Sequence, residues 1–456
     1  MPSSIRMAIV GAGSAQFSLG LVRDLCLTGG LRGSQVVFMD IDADRLAMVT
    51  ALARRYAEEL GADLRFAATD QRKVALDGAD IVVSTALAGG HGREEAERAL
   101  LEQHGYYRGL HPSEGFFHQY DLMLAIARDI ERLCPDAWLV QSSNPVYDGC
   151  TLMTRETSVK IVGLCHGPSG GIRELCHTLN LDVARVTFES TGVNHCVWMT
   201  DFRYDGQDAY PLLDRWIDEE SEAYWRTWMP RYSETQLSPA AIHLYRFYGL
   251  LPLGDTSRAI WPDAWWYHTD HATKERWWGP LGGFDSEEGW STYLKSLERS
   301  IHRIKEVAAD PQARVTEIFP PTPSGEQIVP IIDALVNDRQ GVFIVNVPNR
   351  GSLPGLPDDV VVEVPGVADG SGIRPVRVNP LPERVMLGAI YPQWLAMERR
   401  LAGFRSGDSR YLMQVLLAEQ RTPSWEHAEE TLTAIAAMPG NEAMACHFGL
   451  TPVVTR

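Results

Sequence analysis

The chain has 456 residues, with 42 lysines and arginines against 59 aspartates and glutamates, a net charge of −17. That excess argues against a nucleic-acid or anionic-membrane partner, since neither surface attracts a chain of its own sign. A hydrophobic fraction of 45% with 22% charged residues excludes wholesale disorder and leaves one large or two ordinary globular domains. No run of about 18 apolar residues is present to cross a membrane. The opening MPSSIRMAIVGAGS enters a strand instead of a signal core, so a cytoplasmic protein is expected. The seven cysteines, at 26, 134, 150, 165, 176, 196 and 446, are sparse and odd in number, and read as thiols.

In chain order, IRMAIVGAG reads as a strand broken by glycines, FSLGLVRDLCL as an amphipathic helix, and QVVFMDID as a second strand ending in acid. ADRLAMVTALARRYAEEL is a long helix, RFAATD a short strand, and ADIVVSTALAG an apolar strand ending on small residues. EEAERALLEQHG is helical again; AWLVQSSNP, VKIVGLCHGP and RVTFESTGVNH are three further strands with polar endings. This alternation predicts an α/β fold, a Rossmann-type parallel sheet with helices on both faces, over residues 1–200. Nine of the 13 tryptophans fall between Trp216 and Trp290, where the alternation is lost. Residues 201–456 therefore read as a second, α+β domain for substrate binding and oligomerisation, with strands returning in GVFIVNVPNRG and DDVVVEVPGV. Ligands of such sheets sit at the carboxyl ends of the strands.

Gly11-Ala12-Gly13-Ser14 lies where the first strand meets the first helix, the place where a glycine turn lets a pyrophosphate rest on a helix N-terminus. The third glycine of the usual fingerprint is absent, because position 16 is Gln. Asp40 ends the second strand 29 residues after Gly11, placed for a ribose 2′-OH, and so favours NAD over NADP. Asp42 is the neighbouring possibility, and capping of the next helix is the alternative reading of either acid. Cys165 and His195 both follow apolar strands of the same sheet and meet at one edge, over the nicotinamide. A thiolate and a neutral imidazole hold a divalent ion with positions left open. A buried cysteine and a core histidine satisfied by backbone are the alternative. Cys26, Cys134 and Cys176 lie in helical patterns and read as packing.

Taken together, these residues resemble glycoside hydrolase family 4, the NAD- and metal-dependent exceptions to the two-carboxylate rule of most glycosidases. The resemblance runs through the GAGSAQF turn, Ser143-Asn144-Pro145, Cys165-His166-Gly167, Gly192-Val193-Asn194-His195, and Tyr248-Gly249 leading to Gly254-Asp255. It continues in Ser324-Gly325-Glu326, Val345-Asn346-Val347-Pro348-Asn349 and Val362-Glu363-Val364-Pro365. One departure stands out: HPSEGFFHQY, His111 to Tyr120, does not read like the family's Gly-rich segment.

The resemblance implies that Cys165 and His195 are metal ligands, that Asn144 and Asn194 contact the sugar or cofactor, and that Arg258 holds a sugar substituent. The implied cofactors are NAD and a divalent metal, Mn²⁺ or a similar ion, although affinity order alone favours zinc or copper at a Cys/His site. In the implied reaction, hydride passes from C3 of the sugar to NAD⁺, a base removes the C2 proton, and the aglycone leaves C1 by elimination. Water then adds and the hydride returns. Asp255 matches the base of some members, with Tyr248 and Tyr245 next in line; a turn aspartate is the alternative for Asp255. His166 protonates the leaving oxygen or orients a sugar hydroxyl.

Histidine after the metal-binding cysteine implies an unphosphorylated sugar, and Cys-His-Gly resembles the α-glucuronidase-like members more than the Cys-His-Ser of α-galactosidases. Arg93, Arg258 and Arg350 are the candidates to pair with an acid at C6, with ordinary salt bridges the alternative. The Trp265-Trp266 and Trp277-Trp278 pairs read as helix packing before sugar stacking. A small-molecule glycoside is thus the expected partner, and a homodimer or homotetramer the expected assembly. The rival enzyme is an NAD-dependent hydroxy-acid dehydrogenase, and a non-catalytic nucleotide sensor is the rival of another class.

Overall fold

A computed structural model describes residues 4–106, 116–227, 235–260 and 265–450. Its backbone is organised by one sheet. The first six strands are β1 (Arg6–Val10), β2 (Gln35–Met39), β3 (Arg65–Thr69), β4 (Ile81–Ser84), β5 (Trp138–Gln141) and β6 (Lys160–Gly163). All pair in parallel, in the spatial order 3-2-1-4-5-6. Helices α1 (Ala15–Leu27), α2 (Ala43–Leu60), α3 (Arg72–Leu76), α4 (Gly90–Gln103), α5 (Phe116–Leu133) and α6 (Val146–Glu156) form the crossovers, and α7 (Gly167–Thr178) follows β6. The Rossmann-type fold expected from the alternation is present.

Burial on both faces explains the apolar runs. In β1, Met7 and Ile9 join one core with α1, α2 and the helix Ile328–Asn337, while Ala8 and Val10 join the other with α5 and α6. The second half of the chain, α+β as expected, continues this sheet with antiparallel strands. Strand β7 (Val186–Val193) pairs antiparallel with β8 (Cys196–Tyr204), which carries β9 (Gln207–Asp208) and β10 (Leu251–Leu253). Strands β11 (Gly341–Pro348) and β12 (Val361–Asp369) insert between β6 and β7, with β13 (Gly372–Pro375) on β12. The boundary expected near residue 200 therefore falls inside β8, and the two halves share a single sheet. Among the described residues, no helix is long and apolar enough to cross a membrane.

Register aligns the functional ends. A single row of paired residues crosses the sheet: Met39, Val10, Ser84, Gln141, Gly163, Asn346, Glu363, Gly192, Val197 and Leu253. Asp40, Gly11, Cys165, His195 and Asp255 all lie one to three residues from this row.

A buried ion pair fastens the carboxy-terminal helices to this sheet. Arg400, in the helix Tyr391–Ser406, donates from Nε to Asp148 Oδ2 of α6 at 2.6 Å, and Tyr120 of α5 donates to the same oxygen. Asp148 is 2% exposed and Arg400 is 9% exposed. Arg400→Ala would strand the Asp148 charge, so unfolding free energy should fall by about 3–5 kcal/mol in a denaturant titration. Replacing Asp148 and Arg400 together by apolar residues should recover most of that loss.

Candidate active site

The cofactor end begins where β1 stops. Gly11 has φ +90°, and a Cβ there would stand 2.6 Å from the backbone nitrogen of Ala86. The Gly13 N–H donates to Asp40 Oδ2 at 2.6 Å, and the other oxygen accepts from the Asp42 N–H at 2.9 Å. Only a residue without a side chain fits over that carboxylate, since a Cβ on Gly13 would meet it at 2.7 Å. Asp42 takes the capping role instead, accepting from the Arg45 N–H at the start of α2. Ser14, exposed at the N-cap of α1, makes no side-chain capping bond, and Asn144 is exposed just beyond β5.

Sequence reasoning missed Gln119, which lies in the departing HPSEGFFHQY stretch; residues 111–115 of that stretch are outside the described residues. Its Oε1 accepts from the Ala88 N–H at 2.8 Å, and its Nε2 donates to Ala86 O at 3.0 Å and Ser143 Oγ at 3.3 Å. Gln119 thus ties the loop after β4 to the loop after β5, both of which border the cofactor end.

At the other end, Cys165 follows β6 and His195 sits in the β7–β8 turn with φ +61°. Asp255 reaches them through a backbone contact. Gly254 has φ +57°, and a Cβ there would stand 2.6 Å from the Gly167 carbonyl carbon. Gln236, another residue the sequence did not single out, clamps the turn: its Oε1 accepts from the Gly254 N–H at 2.8 Å and its Nε2 donates to Pro252 O at 2.7 Å. Asp255 Oδ2 then lies 3.5 Å from His195 Nε2.

The electrostatics assign each group a state. Burial pushes the His195 imidazole down to about 4 against the opposing pull of Asp255, so the ring is neutral at pH 7. Burial alone would raise the Asp255 carboxyl; Arg258, then His195, overrule it and hold the group well below the usual carboxylate range. The thiol of Cys165 is pushed far up by burial, then by the charges of Glu363 and Asp255, and the Gly167 N–H bonded to Sγ at 3.4 Å only partly offsets this. A neutral imidazole and a thiol whose proton a cation would displace are donor types suited to a divalent ion. Among the described residues, no three His, Cys, Asp or Glu side chains are grouped so as to hold an ion by themselves.

Two family models match the chain: Family 4 glycosyl hydrolase over residues 6–181 and the Family 4 glycosyl hydrolase C-terminal domain over residues 190–422. The chain belongs to glycoside hydrolase family 4. This family 4 chain is 24% identical over 397 residues to an alpha-galactosidase of Bacillus subtilis (strain 168), covering 83% of the chain and 85% of the relative. It is 24% identical over 425 residues to an alpha-galacturonidase of Thermoanaerobacterium saccharolyticum, with 87% and 88% covered. In fold, it matches a 6-phospho-alpha-glucosidase from gut microorganisms solved in complex with NAD and Mn²⁺, with TM-score 0.79 at 19% identity, covering 95% of this chain and 98% of that one.

Several residues expected in this glycosidase's pocket are engaged elsewhere. Arg258, 9% exposed, donates to Asp255 Oδ1 from Nε and to Asp285 Oδ1 from Nη1, both at 2.9 Å, and lies over the Phe284 ring. Lys274, also buried, donates to the Asp285 carbonyl at 2.9 Å. Arg93 pairs with Glu97 at 2.9 Å and bonds Asn441. Arg350 follows β11 beside Lys160 and Arg374, at the opposite end of the sheet from Cys165. Asn194 is 7% exposed and turns its amide inward, Nδ2 donating to Glu363 Oε2 at 2.8 Å. Burial raises that Glu363 carboxyl to about 7. The Tyr248 hydroxyl donates to Gly388 O and the Tyr245 hydroxyl to Asp214. Trp277 and Trp278 pack on Tyr267 and His268.

His166, by contrast, is exposed at the start of α7, on the rim of a cleft of about 1110 Å³ that Asp255, Arg173, Trp216 and Tyr224 also line. The glycine contact at its base gives a direct test. Gly254→Ala places a side chain against Gly167 at a left-handed backbone position, and should cost about 1–3 kcal/mol of stability. Activity should fall further than stability does, read as turnover at a temperature where circular dichroism shows the variant still folded.

Proposed function

We propose that this chain is an NAD- and divalent-metal-dependent α-glycosidase acting on a neutral, unphosphorylated hexoside. One observation carries the reading: Asp255 stands ionised beside His195 and near Cys165, at the carboxyl ends of a dinucleotide-type sheet. The NAD and Mn²⁺ of the solved gut relative and the α-glycosidic activities named for the sequence relatives support it. Gly11, Gly13 and Ser14 would hold the pyrophosphate, Asp40 and Asn144 the ribose and nicotinamide side, and Cys165 with His195 the ion. When bound, the cofactor would supply a hydride acceptor and the ion would polarise sugar hydroxyl oxygens.

The protein's own groups then divide the proton chemistry. Arg258 occupies Asp255 Oδ1 and leaves Oδ2, the oxygen nearer His195, to take the C2 proton. An ionised carboxylate held by a guanidinium is a weak base, so it acts on a proton already acidified by the C3 ketone. His166, on the rim, hands a proton to the leaving oxygen.

The choice of a neutral sugar follows from the arginines. Of the arginines singled out for a C6 carboxylate, Arg93 and Arg258 pair with internal acids and Arg350 lies at the opposite end of the sheet, which supports the neutral sugar. Arg173, which lines the cleft with Asp255, is the arginine an acidic sugar would meet. The second reading, an α-uronide, is favoured by the Cys165-His166-Gly167 form and by the galacturonidase among the relatives.

Two measurements test the proposal. Aryl α-galactosides or α-glucosides should be cleaved only with NAD⁺ and a divalent ion present, without net NADH formation. Their kcat/KM should exceed that of aryl α-uronides by roughly tenfold or more, because the acid would face the Asp255 charge. Net NADH formation in step with product would instead mark a dehydrogenase. Asp255→Asn should still reduce bound NAD⁺ on adding substrate, yet release aglycone roughly 10²–10⁴-fold more slowly. Normal exchange of the C2 hydrogen with deuterated solvent in that variant would remove Asp255 from the base role.

A further inference from the structure

Glu363 lies in the middle of the sheet, 0% exposed, and no lysine or arginine pairs with it among the described residues. Its register neighbours are Asn346 on one side and Gly192 on the other, with Gly163 beyond Asn346. Both glycines are needed for this row to close. A Cβ on Gly163 would stand 2.9 Å from the Asn346 Cβ, and one on Gly192 would stand 2.0 Å from the Cys196 carbonyl oxygen. Gly163 lies two residues before Cys165, and Gly192 three before His195, so Glu363 sits beneath both halves of the proposed ion site.

A leucine would serve stability better there, because burying an ionisable group without a counter-charge costs free energy that an apolar side chain does not. Glu363 does have one polar contact that leads to the site. Asn194 Nδ2 donates to its Oε2 at 2.8 Å, and the Asn194 amide is among the groups that favour the Cys165 thiolate, against the burial that disfavours it. An asparagine side chain can rotate, and a fixed acceptor on one side of its amide sets what it offers on the other. We infer that Glu363 is a positioning residue, which through Asn194 fixes the Cys165 sulfur in the direction a divalent ion requires.

The inference rests on Cys165 being an ion ligand, and cobalt separates the two claims. Co²⁺ added to the NAD-free protein should give a near-ultraviolet thiolate-to-cobalt band that Cys165→Ser abolishes. Absence of a Cys165-dependent band would defeat the ion-site reading itself. With the band in place, Glu363→Leu should weaken Mn²⁺ binding about 10–100-fold, read from free Mn²⁺ by electron paramagnetic resonance, and shift or diminish the cobalt band. NAD⁺ affinity should stay unchanged, since the glycine turn is remote from Glu363. Glu363→Gln keeps an acceptor oxygen opposite Asn194 and should restore most of the ion affinity. Adding Glu363→Leu to Asn194→Ala should cause no further loss, because both changes break the same contact. Ion binding and cobalt spectrum like those of the unmodified protein in Glu363→Leu, or losses that add in the double variant, would overturn the inference. Should Glu363→Leu fail to fold, Asn194→Ala decides: unchanged Mn²⁺ affinity refutes the link to Cys165, and a 10–100-fold loss supports it.

Discussion

Gly167 and Gly254 meet backbone against backbone, and that contact sets the distance between the two halves of the site. On one side stands the strand-end turn with Cys165 and His166; on the other, the turn that carries Asp255. A side chain at Gly254 would press on the Gly167 backbone and hold the halves apart, and the 3.5 Å approach of Asp255 to His195 would be lost. Gln236 supports the contact from behind by satisfying the Gly254 N–H and the Pro252 carbonyl. Because both partners are glycines, the spacing is set by main-chain van der Waals radii and does not depend on a rotamer.

Charge is arranged with the same economy. Asp255, at the cleft, and the buried Arg258 and Asp285 form a row in which the central cation is shared between two carboxylates, with Lys274 closing the far end on the Asp285 carbonyl. Removing ions from water costs several kcal/mol each, so such a row persists only when its members are mutually satisfied. Arg258 is 9% exposed and turns two of its five N–H donors to internal acids. In the proposed reaction, Arg258 would act by holding Asp255 ionised and aimed.

Much of this was legible in the chain itself. Strands β1, β2, β4, β5 and β6 announce themselves as apolar runs, because strands buried on both faces need nearly unbroken hydrophobicity, whereas β3 and β7 alternate exposed and buried residues over much of their length. Helix α5 carries Met123, Ile126, Ala127 and Ile130 at helical spacing, a signal placed directly after the unusual stretch that leads into it. The insertion of β11 and β12 beside β6 depends on pairings between residues more than 180 positions apart, which no local pattern records. Arginine roles were hidden for the same reason. Sequence names Arg258 and Arg93, but the acids that occupy them are fixed by packing. Asn346 and Glu363 were visible as motif residues, yet their burial beneath Cys165 and Asn194 emerges only from cross-strand register.

The continuous sheet has a mechanical consequence. Two lobes joined by a linker can swing like jaws, so that substrate entry and water exclusion are handled by a hinge. Here β11 and β12 are stitched between β6 and β7, and bending at that line would break ladder hydrogen bonds on both sides. The two halves of the chain share one plate. Access to the cleft beside Asp255 would then depend on local yielding of the loops around the plate's rim, with the strand ends that carry Cys165, His195 and Asp255 kept in register.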